Sequence, residues 1–129
     1  MNKVVLITGA SSGFGKATAE RLSKHGYTVY GTSRKEMNDS NIHFIVMDVR
    51  ERESVKKGVE KVVAESGRID VLINNAGMGI GGSLELASEE EIDMQMGTNF
   101  GGCVNVCQAV LPIMRQQGGG QIINLSSKS

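Results

Sequence analysis

Short apolar runs recur along this chain, separated by longer stretches in which apolar residues return at helical spacing. The first run, residues 4–7, is rich in β-branched side chains and leads into a glycine cluster, which predicts a strand buried on both faces. Ala17, Ala19 and Leu22 follow at helical spacing, and Gly26 predicts the left-handed stop of that helix. Residues 27–31, 42–47, 69–73 and 121–125 read as four further strands. Between the third and fourth strands, Val55, Val59, Val62 and Val63 form the apolar stripe of a charged helix that stops at Gly67. Before the fifth, Ser88-x-x-Glu91 is a capping box. It opens a helical pattern from about 88 to 116 through Ile92, Met96, Phe100, Val104, Cys107, Val110, Leu111 and Met114. Pro112 is a candidate kink in it, and Gly118-Gly119-Gly120 breaks it.

Strands alternating with helices predict an α/β domain with a parallel sheet and right-handed crossovers. Such sheets bind ligands beyond the carboxyl ends of their strands, where the strand order switches. The unusual residues all fall at those ends: 9–15, 33–35, Asp48-Val49, 74–77 and Ser126-Ser127. In Thr8-Gly9-Ala10-Ser11-Ser12-Gly13-Phe14-Gly15 the glycines sit on a strand-to-helix turn. Gly9 permits the tight turn, Gly13 the approach of backbone to a ligand, and Gly15 close packing of the helix. Main-chain N–H groups and the helix dipole then suit a phosphate. The spacing is neither G-x-G-x-x-G nor a Walker loop, since no Lys-Ser or Lys-Thr pair closes it.

Length and charge narrow the choices. The chain has 129 residues, enough for one domain, with 14 basic and 14 acidic side chains and no basic stripe. Nucleic acid and anionic membrane are therefore not expected as partners. No apolar run approaches the length of a membrane span and no signal-peptide pattern precedes the first strand, so a cytoplasmic location is expected. Cys103 and Cys107 fall on one predicted helix face, where reduced thiols are expected rather than a disulfide or zinc site, and His25 and His43 receive no chemical role.

Taken together, these residues resemble the N-terminal part of the short-chain dehydrogenase/reductase family, over essentially the whole chain. The segment 8–15 matches that family's T-G-x-x-x-G-x-G turn, and Asn74-Asn75-Ala76-Gly77 matches its N-N-A-G signature after the fourth strand. The resemblance implies a Rossmann-type doubly wound sheet, here running to the fifth strand, and hydride transfer between a nicotinamide cofactor and a small carbonyl or secondary-alcohol substrate. It further implies cofactor contacts from Gly9, Ser11, Ser12, Gly13, Phe14, Gly15, Asn75, Ala76 and Gly77, and adenine contacts from Asp48 and Val49. Asn99 resembles the family's catalytic asparagine and Ser127 its catalytic serine, with Ser126 as neighbour. Alternatives stand beside these readings. Asp48 can cap the next helix, Asn74 and Asn75 can bond their own turn, and Asn99 is a poor helix former that suggests a specific hydrogen bond.

An acidic residue roughly twenty positions beyond the glycine turn would bond the ribose of NAD. This chain places Ser33, Arg34 and Lys35 there, which favours NADP(H) over NAD(H), with Arg34 the main contact to the 2′-phosphate and Ser33 a helper. The family's Tyr-x-x-x-Lys pair is absent: Arg34 lies four residues after Tyr30, and Gly31 four after Tyr27. The chain therefore reads as the cofactor-binding part of a longer dehydrogenase, inactive by itself and expected to form homo-oligomers. A non-catalytic dinucleotide-binding module, a sensor or scaffold, is the alternative.

Overall fold

The computed structural model describes residues 2–75, 88–96 and 100–125, without the side chains at 92, 95 and 96. Nine elements follow in order among the described residues: β1 (Val4–Ile7), α1 (Gly13–Lys24), β2 (Thr28–Ser33), β3 (His43–Val46), α2 (Arg52–Ser66), β4 (Val71–Asn74), α3 (Glu89–Met96), α4 (Gly102–Gln117) and β5 (Gln121–Asn124). The strands form one parallel sheet in the order β3-β2-β1-β4-β5. Chain direction across the sheet reverses after β3, so the switch point lies between β1 and β4. The predicted doubly wound α/β architecture is what is observed.

Burial on both faces explains why the strands read as continuous apolar runs. Along β1, Val5 and Ile7 pack on one side with Ala19 of α1 and with Val29, Ile42 and Ile73. Val4 and Leu6 face the other side, against Val55, Val59 and Val62 of α2 and Val106, Val110 and Met114 of α4. The result is three layers with β1 at the centre.

The amino end of the sheet is fastened by polar side chains. Asp70 Oδ2 accepts the Val4 N–H at 2.8 Å, and Arg68 Nε donates to both Asp70 oxygens at 2.8 and 2.9 Å. Gln117, on α4, accepts the Ile69 N–H and donates to the Ile69 carbonyl. These bonds explain why β4 begins at Val71 rather than at residue 69: Ile69 is bound to a side chain instead of to a strand. At the other end, β2 continues to Ser33, beyond the predicted residue 31, because Ser33 O accepts Met47 N–H at 2.9 Å and Thr32 bonds the turn after β1. Residues 97–99, between α3 and α4, lie outside the described residues, as does the continuity of the long predicted helix there.

Candidate functional site

The carboxyl ends of β1, β2 and β4 meet at the switch point and are tied to one another. Thr32 Oγ1 accepts the Gly9 N–H at 3.1 Å, and Thr32 O accepts the Ala10 N–H at 2.9 Å. From the β4 side, Asn75 N donates to Thr8 Oγ1 and Asn75 Nδ2 to Gly9 O, both at 2.9 Å. The turn is thus held from two strands before any ligand is considered.

Its shape depends on missing side chains. Gly13 opens α1 with φ +58°, a left-handed conformation costly for other residues. Gly15 lies so close to Gly9 O and Asn75 Nδ2 that a Cβ would collide with both. Gly15 therefore makes room for the Asn75 brace as much as for the sheet. At Gly31 a Cβ would strike Ala10, so β2 is hollowed to seat the turn. Helix α1 begins at Gly13, inside the glycine turn and ahead of Ala17, where the apolar spacing starts, with Ser12 at its N-cap in extended conformation and without a side-chain cap bond. No acidic residue lies in its first turn. Main-chain donors at a helix N-terminus, unopposed by a carboxylate, fit an anion such as a pyrophosphate. Ser11 is half-buried, and Ser12 and Phe14 are exposed, Phe14 to 67%.

At the end of β2, Ser33 is buried and its Oγ accepts the Lys35 N–H at 3.1 Å, folding a tight turn that leaves Arg34 and Lys35 exposed. Beyond β3, Asp48 Oδ1 accepts both the main-chain N–H and Nε of Arg50, and Oδ2 accepts Nη2 at 2.9 Å. Asp48 does not cap α2. The N-cap position belongs to Glu51, while Asp48 N donates to Ser54 Oγ at 2.9 Å. The bonded Arg50 side chain holds the Asp48 carboxyl below its ordinary range, and the charge of Arg34 pushes the same way. Val49 is buried in the core, where it meets α4: a Cβ on Gly102 would touch its side chain, and Asn105 Nδ2 donates to its carbonyl at 2.9 Å. Asn74 spans to its register partner across the sheet, donating through Nδ2 to Asn124 Oδ1 at 2.8 Å.

The structure thus brings Gly9, Ser11, Ser12, Gly13, Phe14, Gly15 and Asn75 to one turn. Ser33, Arg34, Asp48 and Val49 stand at the ends of the next two strands. Ala76, Gly77, Asn99, Ser126 and Ser127 lie outside the described residues. Sequence reasoning included Thr8 in the motif without giving it a role, and missed Gly31 and Thr32 as builders of the turn. A polar pair closing an apolar strand, Thr32-Ser33, was the available signal.

Residues 3–129 match the family model for short chain dehydrogenases. The chain belongs to the short-chain dehydrogenase family. Among curated relatives of this family, a 3-ketodihydrosphingosine reductase of Bacteroides thetaiotaomicron is 60% identical, the match covering 97% of this chain and 47% of the relative. The 3-oxoacyl-[acyl-carrier-protein] reductase FabG of Thermotoga maritima is 43% identical, over 97% of this chain and 55% of the relative. Among solved structures, a short-chain dehydrogenase from Streptomyces avermitilis is 38% identical with a TM-score of 0.87, covering 98% of this chain and 50% of that one. ElxO with NADP bound is 34% identical, also at TM-score 0.87, covering 98% and 56%. This short-chain dehydrogenase chain spans about half the length of the relatives that it matches. Among the described residues, no helix is long and apolar enough to cross a membrane.

Proposed function

We propose that this chain is the cofactor-binding half of an NADP(H)-dependent oxidoreductase that interconverts a carbonyl and a secondary alcohol. The observation that carries the reading is the braced turn at the switch point, with α1 aimed at it and no carboxylate in the first turn of α1. When bound, the nicotinamide supplies or takes the hydride. The chain's own share is to seat the pyrophosphate on main-chain N–H groups of residues 9–15, set the adenosine end beside Asp48 and Val49, and hold β4 and β5 in register. Asn75, Ala76 and Gly77 border the cofactor, Ser127 orients the substrate, and Asn99 is the catalytic asparagine, as the family resemblance implies.

NADP(H) is preferred in this reading because the exposed guanidinium of Arg34 follows β2 where an acidic side chain would select NAD(H). Lys35 adds a second cation from the Ser33 turn. Asp48 bonds the adenine only by sharing its carboxylate with exposed Arg50. Titrating the chain with NADPH and NADH tests the preference: tighter NADH binding overturns it. In Arg34→Ala, NADPH affinity is expected to fall about tenfold or more, the loss of a charge-assisted phosphate bond, with NADH little changed.

The names of the two curated relatives share an oxygen at position three of a chain, as ketodihydrosphingosine or oxoacyl group. The same 3-keto class is the proposed substrate of the whole protein. NADPH oxidation by the whole protein should be faster with 3-ketodihydrosphingosine than with an unfunctionalised ketone, and the reverse order rejects this class. Homo-oligomer formation belongs to the same reading, supported by Met94 and Phe100, exposed to 68% and 74%. Light scattering on the whole protein gives its mass directly, and a monomer at working concentration removes this part.

A further inference from the structure

The two cysteines play no part in the cofactor reading, yet the fold sets them as a pair. Cys103 and Cys107 are the chain's whole cysteine content, both are free, and both are half-buried. They stand one helical turn apart on α4 with Sγ atoms 4.0 Å apart. Asn74 Nδ2 donates to Cys107 Sγ at 3.4 Å, and Cys103 Sγ donates to Asn124 Oδ1 at 3.3 Å. Two amides at the carboxyl ends of β4 and β5 therefore hold both sulfurs at one gap.

The chemistry of that gap is selective. Burial pushes the Cys103 thiol above its ordinary range, and the neighbouring Cys107 adds to the shift. A protonated thiol is a poor nucleophile and a poor ligand for a divalent metal, which needs thiolate. Among the described residues there is also no group of three metal-ligating side chains. Capture by a trivalent arsenical releases no net proton, because its oxygen carries both thiol protons away as water, so a raised thiol pKa does not oppose it.

We propose that Cys103 and Cys107 form a two-thiol site for trivalent arsenicals that carry two exchangeable arsenic–oxygen bonds. With phenylarsine oxide, two arsenic–sulfur bonds form and both S–H bonds and the arsenic–oxygen double bond break. The oxygen leaves as water with the two thiol protons. Arsenic stays trivalent, and nothing is oxidised or reduced. Both sulfurs already face one gap, so closing the chelate asks for side-chain rotation rather than unwinding of α4.

Phenylarsine oxide, added to the folded chain in equal amount, tests the site through the thiols left for a chromogenic disulfide reagent. Both thiols are expected to be lost together, with helical circular dichroism retained. A large excess of the monothiol 2-mercaptoethanol should leave the adduct intact, whereas the dithiol 2,3-dimercaptopropanol should restore both thiols. Cys103→Ser and Cys107→Ser should each abolish monothiol-resistant binding. Capture seen only after urea unfolding, or an adduct removed by the monothiol, overturns the proposal and does so on the unmutated chain.

Discussion

Gly13 and Gly15 stand two residues apart in the same turn, but different physics fixes each. Gly13 has open space around its Cα and a positive φ, so a methyl there meets only backbone strain. At Gly15 the methyl meets the Gly9 carbonyl and the Asn75 amide. The first is fixed main chain, and the second is held by its bond to Gly9 O, so neither yields cheaply. Gly13→Ala should lower stability by about 1 kcal/mol, the usual cost of a left-handed L-residue. Gly15→Ala should cost about 1–3 kcal/mol from overpacking and should also displace the brace. Urea unfolding of both variants checks the order, and an equal or smaller loss at Gly15 contradicts the geometry. The T-G-x-x-x-G-x-G turn was legible because glycine is informative wherever it recurs near a strand end. Asn75's grip on Gly9 was not, since its partner lies 66 positions away. Thr32 escaped for the same reason: a buried polar side chain shows its purpose only beside the group that it satisfies.

At the scale of elements, the fold reads well from sequence where the signal is local. Helix α2 ends at Gly67 and α4 at Gly118, both left-handed, and the Ser88 hydroxyl accepts the Glu91 N–H as the capping box predicts. Boundaries shifted where tertiary bonds decide them, as at Ile69, taken by Gln117, and at Thr32 and Ser33, drawn into β2. Among these bonds, Asp70, just before β4, is tied to Val4, the first residue of β1. Its side chain is only 12% exposed, and the Arg68 guanidinium holds its carboxyl below the ordinary range, with the Val4 N–H helping. A carboxyl that binds its proton less tightly folded than unfolded stabilises the fold fully above its unfolded pKa, about 3.9. That contribution is lost as pH falls through the lower folded value. Asp70→Asn should therefore lose about 1–3 kcal/mol at neutral pH and show a flatter decline on acidification. Thermal melts from neutral pH down to the acid limb measure both. Parallel curves for the two proteins would mean that the pair contributes no pH-dependent stability.

Across the whole molecule, the sheet separates a fastened end from the end that carries the proposed cofactor site. Asp70, Arg68 and Gln117 secure the amino ends of β1 and β4, while Thr32, Asn75 and the glycine turn shape the carboxyl ends. The separation gives hydrogen exchange a directional prediction. Amides of β1, paired on both sides and buried, should exchange only through global opening, whereas the outer strand β5, with exposed termini, should open locally. A ligand that binds only the folded state adds about 2.7 kcal/mol to global opening at a hundredfold excess over its Kd. With NADPH at that excess, the β1 amides should slow by that factor. Amides of residues 9–15 should slow as well, because in the proposed site any local opening there would release the pyrophosphate. Amides near Gln117 and Gln121, at the fastened end, should keep their rates, since their local openings leave the cofactor bound. Slowing in β1 without slowing in residues 9–15 would mean that NADPH binds the folded chain somewhere other than the switch point.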